Sequence, residues 1–273
     1  MGSDALRTRA LSALVMAVPV LAAVYFGAPW FDALLGIAAL FMAFEWDRLC
    51  AGARQASAKS NDAASWALVA TIALVALAAI LQAHGLALWL SVGGFAAVFL
   101  IARGIERRAP LLQALGALYI GAPFVALVWL RADAQSGLAT VLWILAAVWA
   151  TDTGAMAAGK SIGGPKLAPV ISPNKTWAGL LGGMAAAALV GLVFALILHA
   201  PVGLAMALSA GLAVVAQAGD LAESMVKRHF GVKDSGAIIP GHGGIFDRVD
   251  GLLAAASAWA LVLLAADGWR LWS

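Results

Sequence analysis

The run from Ser224 to Asp250 stands out as charged and polar in a chain that is 63% hydrophobic. It places a Gly-His-Gly-Gly turn among cationic and acidic side chains, namely Lys227, Arg228, Lys233, Asp234, Asp247, Arg248 and Asp250. Cations at this density neutralise phosphate groups, and carboxylate oxygens bind divalent metal ions. The run therefore predicts a site that holds a multiply charged phosphate ligand together with a metal ion.

Carboxylates precede this run as well as end it. The spacing of Asp220, Glu223, Ser224 and Lys227 puts all four on one face of a helix. Two helices joined by a loop on the same side of a membrane would bring Asp220 against Asp247. Carboxylates that close repel each other unless a cation lies between them, so we predict Mg²⁺, held by Asp220, Asp247 and Asp250. The alternative is a network of ion pairs with the Lys and Arg residues.

The turn itself offers close backbone approach to a ligand. Gly243 and Gly244 follow His242, and glycine permits conformations and contacts that other residues do not. His242 either donates a hydrogen bond to a phosphate or packs within the turn.

A second polar stretch begins at Asp152. The apolar run before it has about 14 residues, too few to cross a bilayer, so we expect the helix to continue and to carry Asp152 at membrane depth. A carboxylate there predicts function, the alternative being a helix-terminal residue at the interface. Groups able to bind phosphate or base then precede the next helix, at Ser172, Asn174, Lys175 and Thr176. Taken alone, these could instead be an N-cap and turn residues.

Residues 154–161 match the phosphate-binding loop pattern Gly-x-x-x-x-Gly-Lys-Ser. That loop requires a buried strand before it and a soluble α/β sheet around it. Here the pattern follows an apolar stretch typical of a membrane helix. We therefore interpret it as a chance match.

The elements that carry these residues are predicted to be membrane helices. The mean hydropathy is +0.95, and only 11% of residues are charged. Apolar runs approach the length of about 20 residues that crosses a bilayer, without the alternation of barrel strands. We predict an all-α, polytopic membrane helical bundle of about nine transmembrane helices, over residues 11–29, 31–46, 66–83, 86–102, 111–130, 137–157, 178–199, 203–221 and 249–266.

Basic residues predict the orientation. With the N-terminus inside, all 17 Lys and Arg residues except Arg131 and Arg270 lie on the cytoplasmic side. The sequence thus indicates an integral protein of a bacterial inner membrane, with the active site facing the cytoplasm. The net charge of +3 then reflects topology and anionic lipid, not nucleic acid. The single Cys50 excludes a disulfide framework and a cysteine metal site.

Residues 1–136 are interpreted as a membrane scaffold of about five spans, and residues 137–273 as a catalytic membrane domain of about four spans. In the scaffold, Glu45 and Asp47 stand beside Arg48 at a membrane boundary, where interfacial ion pairs are expected. Gly179 and Gly183 permit close helix packing, either within the subunit or between the two copies of a homodimer.

Together, these motifs resemble the integral-membrane phosphatidate cytidylyltransferases, also called CDP-diacylglycerol synthases. The C-terminal match comprises Ser224, Lys227, Arg228, Lys233, Asp234, Gly236, Pro240, His242, Gly243, Gly244, Asp247, Arg248 and Asp250. Asp152, Gly154, Ala155, Lys166, Leu167 and the run 172–179 resemble that family's other polar stretch. The resemblance spans residues 140–266 and departs from the common pattern at Met156 and Ala178.

The resemblance implies that CTP and phosphatidate react to give CDP-diacylglycerol and pyrophosphate, with Mg²⁺ as cofactor. The catalytic residues would be Asp220, Asp247, Lys227, Arg228, Lys233 and Arg248. Asp220 and Asp247 would hold Mg²⁺, with Asp250, Glu223 and Asp152 as further ligands that bind it directly or indirectly. The substrates would contact Asp152, Ser172, Asn174, Lys175, Thr176, Glu223, Ser224, Asp234, His242, Gly243 and Gly244. Two alternatives are a CTP-dependent lipid-alcohol kinase and a transporter, but charges collected on one side of the last four spans favour an enzyme.

Overall fold

The computed structural model describes residues 17–51, 62–236, 243–267 and 269–272. Helices dominate these residues, as predicted, and the all-α membrane bundle is confirmed. The helices are α1 Ala17–Phe26, α2 Trp30–Ala51, α3 Ala63–Ile80, α4 His84–Gly104, α5 Pro110–Ala132, α6 Gly137–Ser161, α7 Trp177–Leu198, α8 Val202–His229 and α9 Phe246–Ala265.

Seven of the described helices, α3 to α9, are long and apolar enough to cross a membrane. α2 has 22 residues but carries Asp32, Glu45, Asp47 and Arg48, and the beginning of the first predicted span lies outside the described residues. The largest difference from the predicted spans is at α8, which continues to His229 instead of ending near residue 221. Hydropathy marks where a helix leaves the apolar layer, whereas backbone hydrogen bonding continues into the polar turns beyond it.

A short hairpin interrupts the helices and was not predicted. Strands β1, Lys166–Ala168, and β2, Ser172–Thr176, pair antiparallel, with Lys166 opposite Thr176 and Ala168 opposite Ser172. At its end Thr176 becomes the N-cap of α7, since its side-chain oxygen accepts a hydrogen bond of 3.0 Å from the backbone N–H of Gly179. The hairpin is thus joined rigidly to a membrane helix.

The chain forms two compact units. One contains residues 1–132 and 234–247, and the other contains residues 133–233 and 248–273. The functional division predicted at residues 136 and 137 remains a prediction.

In the second unit, α6 and α7 pack backbone to backbone through small residues. A Cβ added at Gly183 would lie 2.9 Å from the carbonyl oxygen of Thr151, and one at Gly182 would lie 2.9 Å from that of Gly154. Gly179 makes a similar approach to the carbonyl oxygen of Ala155. The predicted close packing is therefore confirmed within the subunit, whereas the homodimer remains a prediction.

The same packing accounts for the first glycine of the apparent phosphate-binding loop at residues 154–161. Residues 154–161 form the last turns of α6, so their backbone N–H groups point along a helix and do not surround a phosphate. Gly154 is required by its contact with α7.

In the first unit, a polar network joins the C-terminal part of α2 to α3 and α5. The Asp47 carboxylate accepts hydrogen bonds from Ser65 Oγ at 2.9 Å and from Gln113 Nε2 at 2.7 Å. Arg107 lies 3.4 Å from Asp47 and donates a 2.7 Å hydrogen bond to Asp62. Burial raises the pKa of Asp62, but the Arg107 hydrogen bond and charge outweigh burial and lower that pKa overall. The expected ion pair is therefore present for Asp47, with Arg107 as its partner, and Asp47 is buried.

Candidate active site

Two glycines bring α8 and α9 together in the second unit. A Cβ at Gly219 would lie 2.9 Å from the carbonyl oxygen of Asp250, and one at Gly251 would lie 3.3 Å from that of Ala216. Only glycine allows the two backbones to approach this closely at Gly219. The contact places Asp220, the next residue on α8, beside Asp250 on α9.

Three carboxylates meet at this contact. Asp220, Glu223 and Asp250 each offer one oxygen, and these oxygens all lie within 4.8 Å of one another. Octahedral Mg²⁺ binds oxygen at about 2.0–2.1 Å, so opposite ligands stand about 4 Å apart, and the three residues fit such an ion. They are the one metal-capable group of His, Cys, Asp and Glu side chains among the described residues. Asp220 and Asp250 were predicted as metal ligands, and Glu223 was predicted as a substrate contact and as a further, direct or indirect, metal ligand.

Two lysines neutralise these carboxylates. Lys175 Nζ lies 2.5 Å from Asp220 Oδ2 and donates a 3.0 Å hydrogen bond to Gln217 Oε1. Lys227 Nζ donates a 2.6 Å hydrogen bond to Glu223 Oε2, and both of these residues are buried. The two ammonium groups therefore stand beside the carboxylates, where an anionic ligand could also contact them.

The hairpin and the small residues of α6 supply the rest of the cluster. Lys175 belongs to β2, so pairing with β1 and the N-cap at Thr176 hold its backbone in position. Asp152, on α6, is close enough to interact electrostatically with Asp220, Lys175 and Arg248. The expectation that Asp152 lies within a continuing helix is confirmed, because α6 extends nine residues beyond it.

Of the remaining predicted residues of this unit, Ser224 contacts the cluster. Ser224 Oγ donates a 3.3 Å hydrogen bond to Asp220 Oδ1. Arg228 donates hydrogen bonds to the backbone oxygens of Ile171 and Val232, which ties the end of α8 to the hairpin. Among the other predicted residues of this unit, Ser172 is half-buried, and Asn174 and Lys233 are exposed.

Asp247 belongs to the first unit, where the hydrogen bonds it accepts from Ser235 and Gly244 hold the two sides of the turn together. We call this set of contacts the clasp. Its Oδ2 accepts three hydrogen bonds, from Ser235 N at 3.0 Å, Ser235 Oγ at 2.9 Å and Gly244 N at 2.8 Å. Gly243 adopts a φ of +82°, and a Cβ there would lie 2.8 Å from Asp247 Oδ2. The positive φ and the short distance to Asp247 explain why residue 243 of the turn is glycine. Asp234 is exposed in this unit, and His242 lies outside the described residues. The pairing of Asp220 with Asp247 remains a prediction.

Two residues, one in the cluster and one at the start of α9, were not among the predicted site residues. Gln217 lies one turn before Asp220 on α8 and binds Lys175, but a lone amide in an apolar run gave little reason to single it out. Glu45, for which an interfacial ion pair was the favoured expectation, accepts hydrogen bonds from the backbone N–H groups of Ile245 and Phe246 at the start of α9. Its signal was a carboxylate within a predicted membrane span, which is costly unless it has a function.

Comparison with known proteins shows which sequences this chain resembles. The sequence model of the cytidylyltransferase family matches residues 7–266. Proteins named phosphatidate cytidylyltransferase from Brucella suis biovar 1 and Brucella abortus biovar 1 are each 40% identical over 253 residues, which cover 92% of this chain and 91% of theirs. A Bacillus subtilis protein of the same name is 44% identical over 141 residues, 51% of this chain and 52% of that protein. The resemblance noted from the motifs is confirmed.

Proposed function

Because the chain belongs to the cytidylyltransferase family, we propose that it transfers the cytidylyl group of CTP to phosphatidate. The products are CDP-diacylglycerol, a precursor of phospholipids, and pyrophosphate. The structural observation that supports this enzyme function is the meeting of Asp220, Glu223 and Asp250, on two membrane helices, with the ammonium groups of Lys175 and Lys227. Such a site holds phosphate groups and a divalent cation next to a lipid.

The chemistry requires little from a protein base. A phosphate oxygen of phosphatidate, already ionised at neutral pH, attacks the α-phosphorus of CTP. The bond from that phosphorus to the bridging oxygen breaks, and pyrophosphate leaves with the electron pair. Catalysis then consists of bringing two anions together in line, so Lys175, Lys227, Arg228, Lys233 and Arg248 neutralise the phosphates.

The carboxylate cluster is proposed to bind Mg²⁺. Asp220, Glu223 and Asp250 would hold the ion, and Asp152 would add negative charge beside it. The role of Asp247 as a further ligand stays a prediction, which the Asp247→Asn variant tests. When bound, Mg²⁺ supplies charge neutralisation for the phosphates of CTP and of the leaving pyrophosphate. Lys175 and Lys227 each contact one carboxylate of the cluster, so a nucleotide phosphate that enters can draw these ammonium groups toward itself.

The site is proposed to face the cytoplasm, where CTP is available, in the inner membrane of a bacterium. Basic residues support this orientation through the positive-inside rule. The seven apolar helices hold the protein in the bilayer, and the acyl chains of phosphatidate would lie among them.

We expect radioactive label to enter the lipid from the α-phosphate of CTP and not from the γ-phosphate. Purified protein in detergent with phosphatidate and Mg²⁺ should release one pyrophosphate for each labelled lipid. Thin-layer chromatography of the lipid and an assay of pyrophosphate measure the two products.

Each other outcome of this experiment has a clear meaning. Lipid labelled only from the γ-position would contradict the proposal and indicate a lipid-alcohol kinase. Binding of both substrates without any transfer of label would contradict an enzyme function. Reactions with EDTA in place of Mg²⁺ serve as the control and should show no turnover.

Orientation makes a separate prediction. In a background with Cys50 replaced by Ala, we expect Glu106→Cys and His229→Cys to react with an impermeant maleimide only from the cytoplasmic side. Gln135→Cys, in the segment between α5 and α6, is the control and should react only from the outside. Labelling of Glu106→Cys and His229→Cys from opposite sides would contradict the predicted topology.

A further inference from the structure

Glu45 is a buried carboxylate on α2, far in sequence from the polar motifs. Only 1% of its surface is exposed. Its Oε1 accepts a hydrogen bond from the backbone N–H of Ile245 and its Oε2 accepts one from that of Phe246, both of 2.9 Å. Each oxygen thus binds one of the N–H groups that lack a partner at the beginning of α9.

The segments on both sides of the turn are shaped around this carboxylate. A Cβ at Gly236 would lie 2.6 Å from Glu45 Oε1, and a Cβ at Gly244 would lie 2.7 Å from both oxygens. Either position therefore has room for glycine but not for a larger residue. The ring of Phe246 lies 5.4 Å from that of Trp46 and 5.5 Å from that of Tyr119. Apolar contact and hydrogen bonds hold the same point of the chain.

Electrostatics favours this contact strongly. The N-terminus of a helix carries partial positive charge, and hydrogen bonds to an ionised acceptor are stronger than neutral ones. A buried carboxylate is costly unless it has partners, so its two hydrogen bonds help to stabilise it. The contact also adjoins the clasp in which Ser235 and Gly244 bind Asp247.

We infer that Glu45 is a positioning residue for the reaction: it holds the first turn of α9 in the place that aligns the carboxylates of Asp247 and Asp250. The inference rests on the proposed function, because it gives these carboxylates a catalytic use. Glu45 contacts neither substrate and acts only through α9. Through Glu45, α2 therefore contributes to catalysis by holding the start of α9, the helix that carries Asp250 one turn later.

The test compares Glu45→Gln with Asp47→Asn. Both changes replace a buried carboxylate of α2 by an amide, but Asp47 contacts Ser65, Gln113 and Arg107 and not α9. In Glu45→Gln one amide oxygen must replace two carboxylate oxygens, so the Ile245 and Phe246 N–H groups should exchange with deuterium about tenfold faster. The concentration of Mn²⁺ that half-saturates the protein, measured by EPR, should rise about tenfold, and kcat should fall by a similar factor.

Asp47→Asn should lower the thermal midpoint yet leave amide exchange at 245 and 246 and the Mn²⁺ affinity at their parent values. Gly236→Ala approaches the same contact from the other side and should reproduce the exchange and the Mn²⁺ effect with Glu45 intact. Faster exchange with unchanged Mn²⁺ binding and kcat would overturn the inference, as would equal effects of Asp47→Asn. The exchange and Mn²⁺ measurements need no substrate, so they can succeed even if the parent protein fails to transfer label from CTP.

Discussion

Replacing Asp220 by Asn is expected to lower kcat by about a hundredfold or more, equivalent to about 3 kcal/mol of lost transition-state stabilisation. Asp220 has the central place in the cluster, since it offers an oxygen to the predicted metal ion, contacts Lys175 and accepts a hydrogen bond from Ser224. The amide removes the charge that attracts the ion while keeping the size of the side chain. Initial rates at saturating CTP, over a range of Mg²⁺ concentrations, measure the effect.

Two control variants separate this loss from general damage. Asp133→Asn makes the same chemical change in the same unit, at a carboxylate that binds Arg270, and should keep kcat within a few-fold of the parent. Lys160→Ala removes the lysine of the apparent phosphate-binding loop and should also have little effect, because that lysine lies exposed on the last turn of α6. Activity of Asp220→Asn within a few-fold of the parent at saturating Mg²⁺ would exclude Asp220 as a ligand.

Replacing Asp247 by Asn is also expected to lower kcat by about a hundredfold. The side-chain oxygen of Asn can still accept the hydrogen bonds from Ser235 and Gly244, so this variant removes the negative charge and keeps much of the clasp. Ser235→Ala does the reverse, because it removes the 2.9 Å hydrogen bond from Ser235 Oγ and keeps the charge. If charge is what matters, Ser235→Ala loses only a few-fold in kcat.

The comparison of these two variants decides what Asp247 does. Equal losses in Asp247→Asn and Ser235→Ala would indicate that Asp247 acts by holding the turn and not as a metal ligand. The amide exchange of Gly244 gives an independent reading of the clasp, and it should increase in both variants if the clasp opens.

The catalytic cluster shows how far residue spacing leads. Asp220, Glu223, Ser224 and Lys227 were placed on one helix face by their spacing alone, and α8 presents them in that way. Hydropathy likewise predicted α3 to α9 to within a few residues, except at the C-terminal end of α8, because an apolar run must be long enough to cross the bilayer wherever it lies in the fold. The chance match at 154–161 was also recognised from its helical context.

Contacts between distant parts of the chain could not be predicted from residue spacing or hydropathy. The approach of Asp250 to Asp220 depends on Gly219 and Gly251, and nothing in one sequence tells which helices meet at which glycines. The hairpin that carries Lys175 to Asp220 was hidden for a similar reason, since three- and five-residue strands gain their stability from each other and from the helix that follows.

Sequence by itself therefore determined the class of protein, the helices and the polar residues from which the site is built, because composition and local spacing act within single segments. Tertiary structure alone decided that Asp250 joins Asp220 and Glu223, that Asp247 accepts hydrogen bonds from Ser235, and that Glu45 holds the start of α9. The physical reason is that a carboxylate may be stabilised equally well by a metal ion, an ammonium group or backbone N–H groups. Which of these partners it has is decided by the groups that folding brings within about 3 Å of its oxygens.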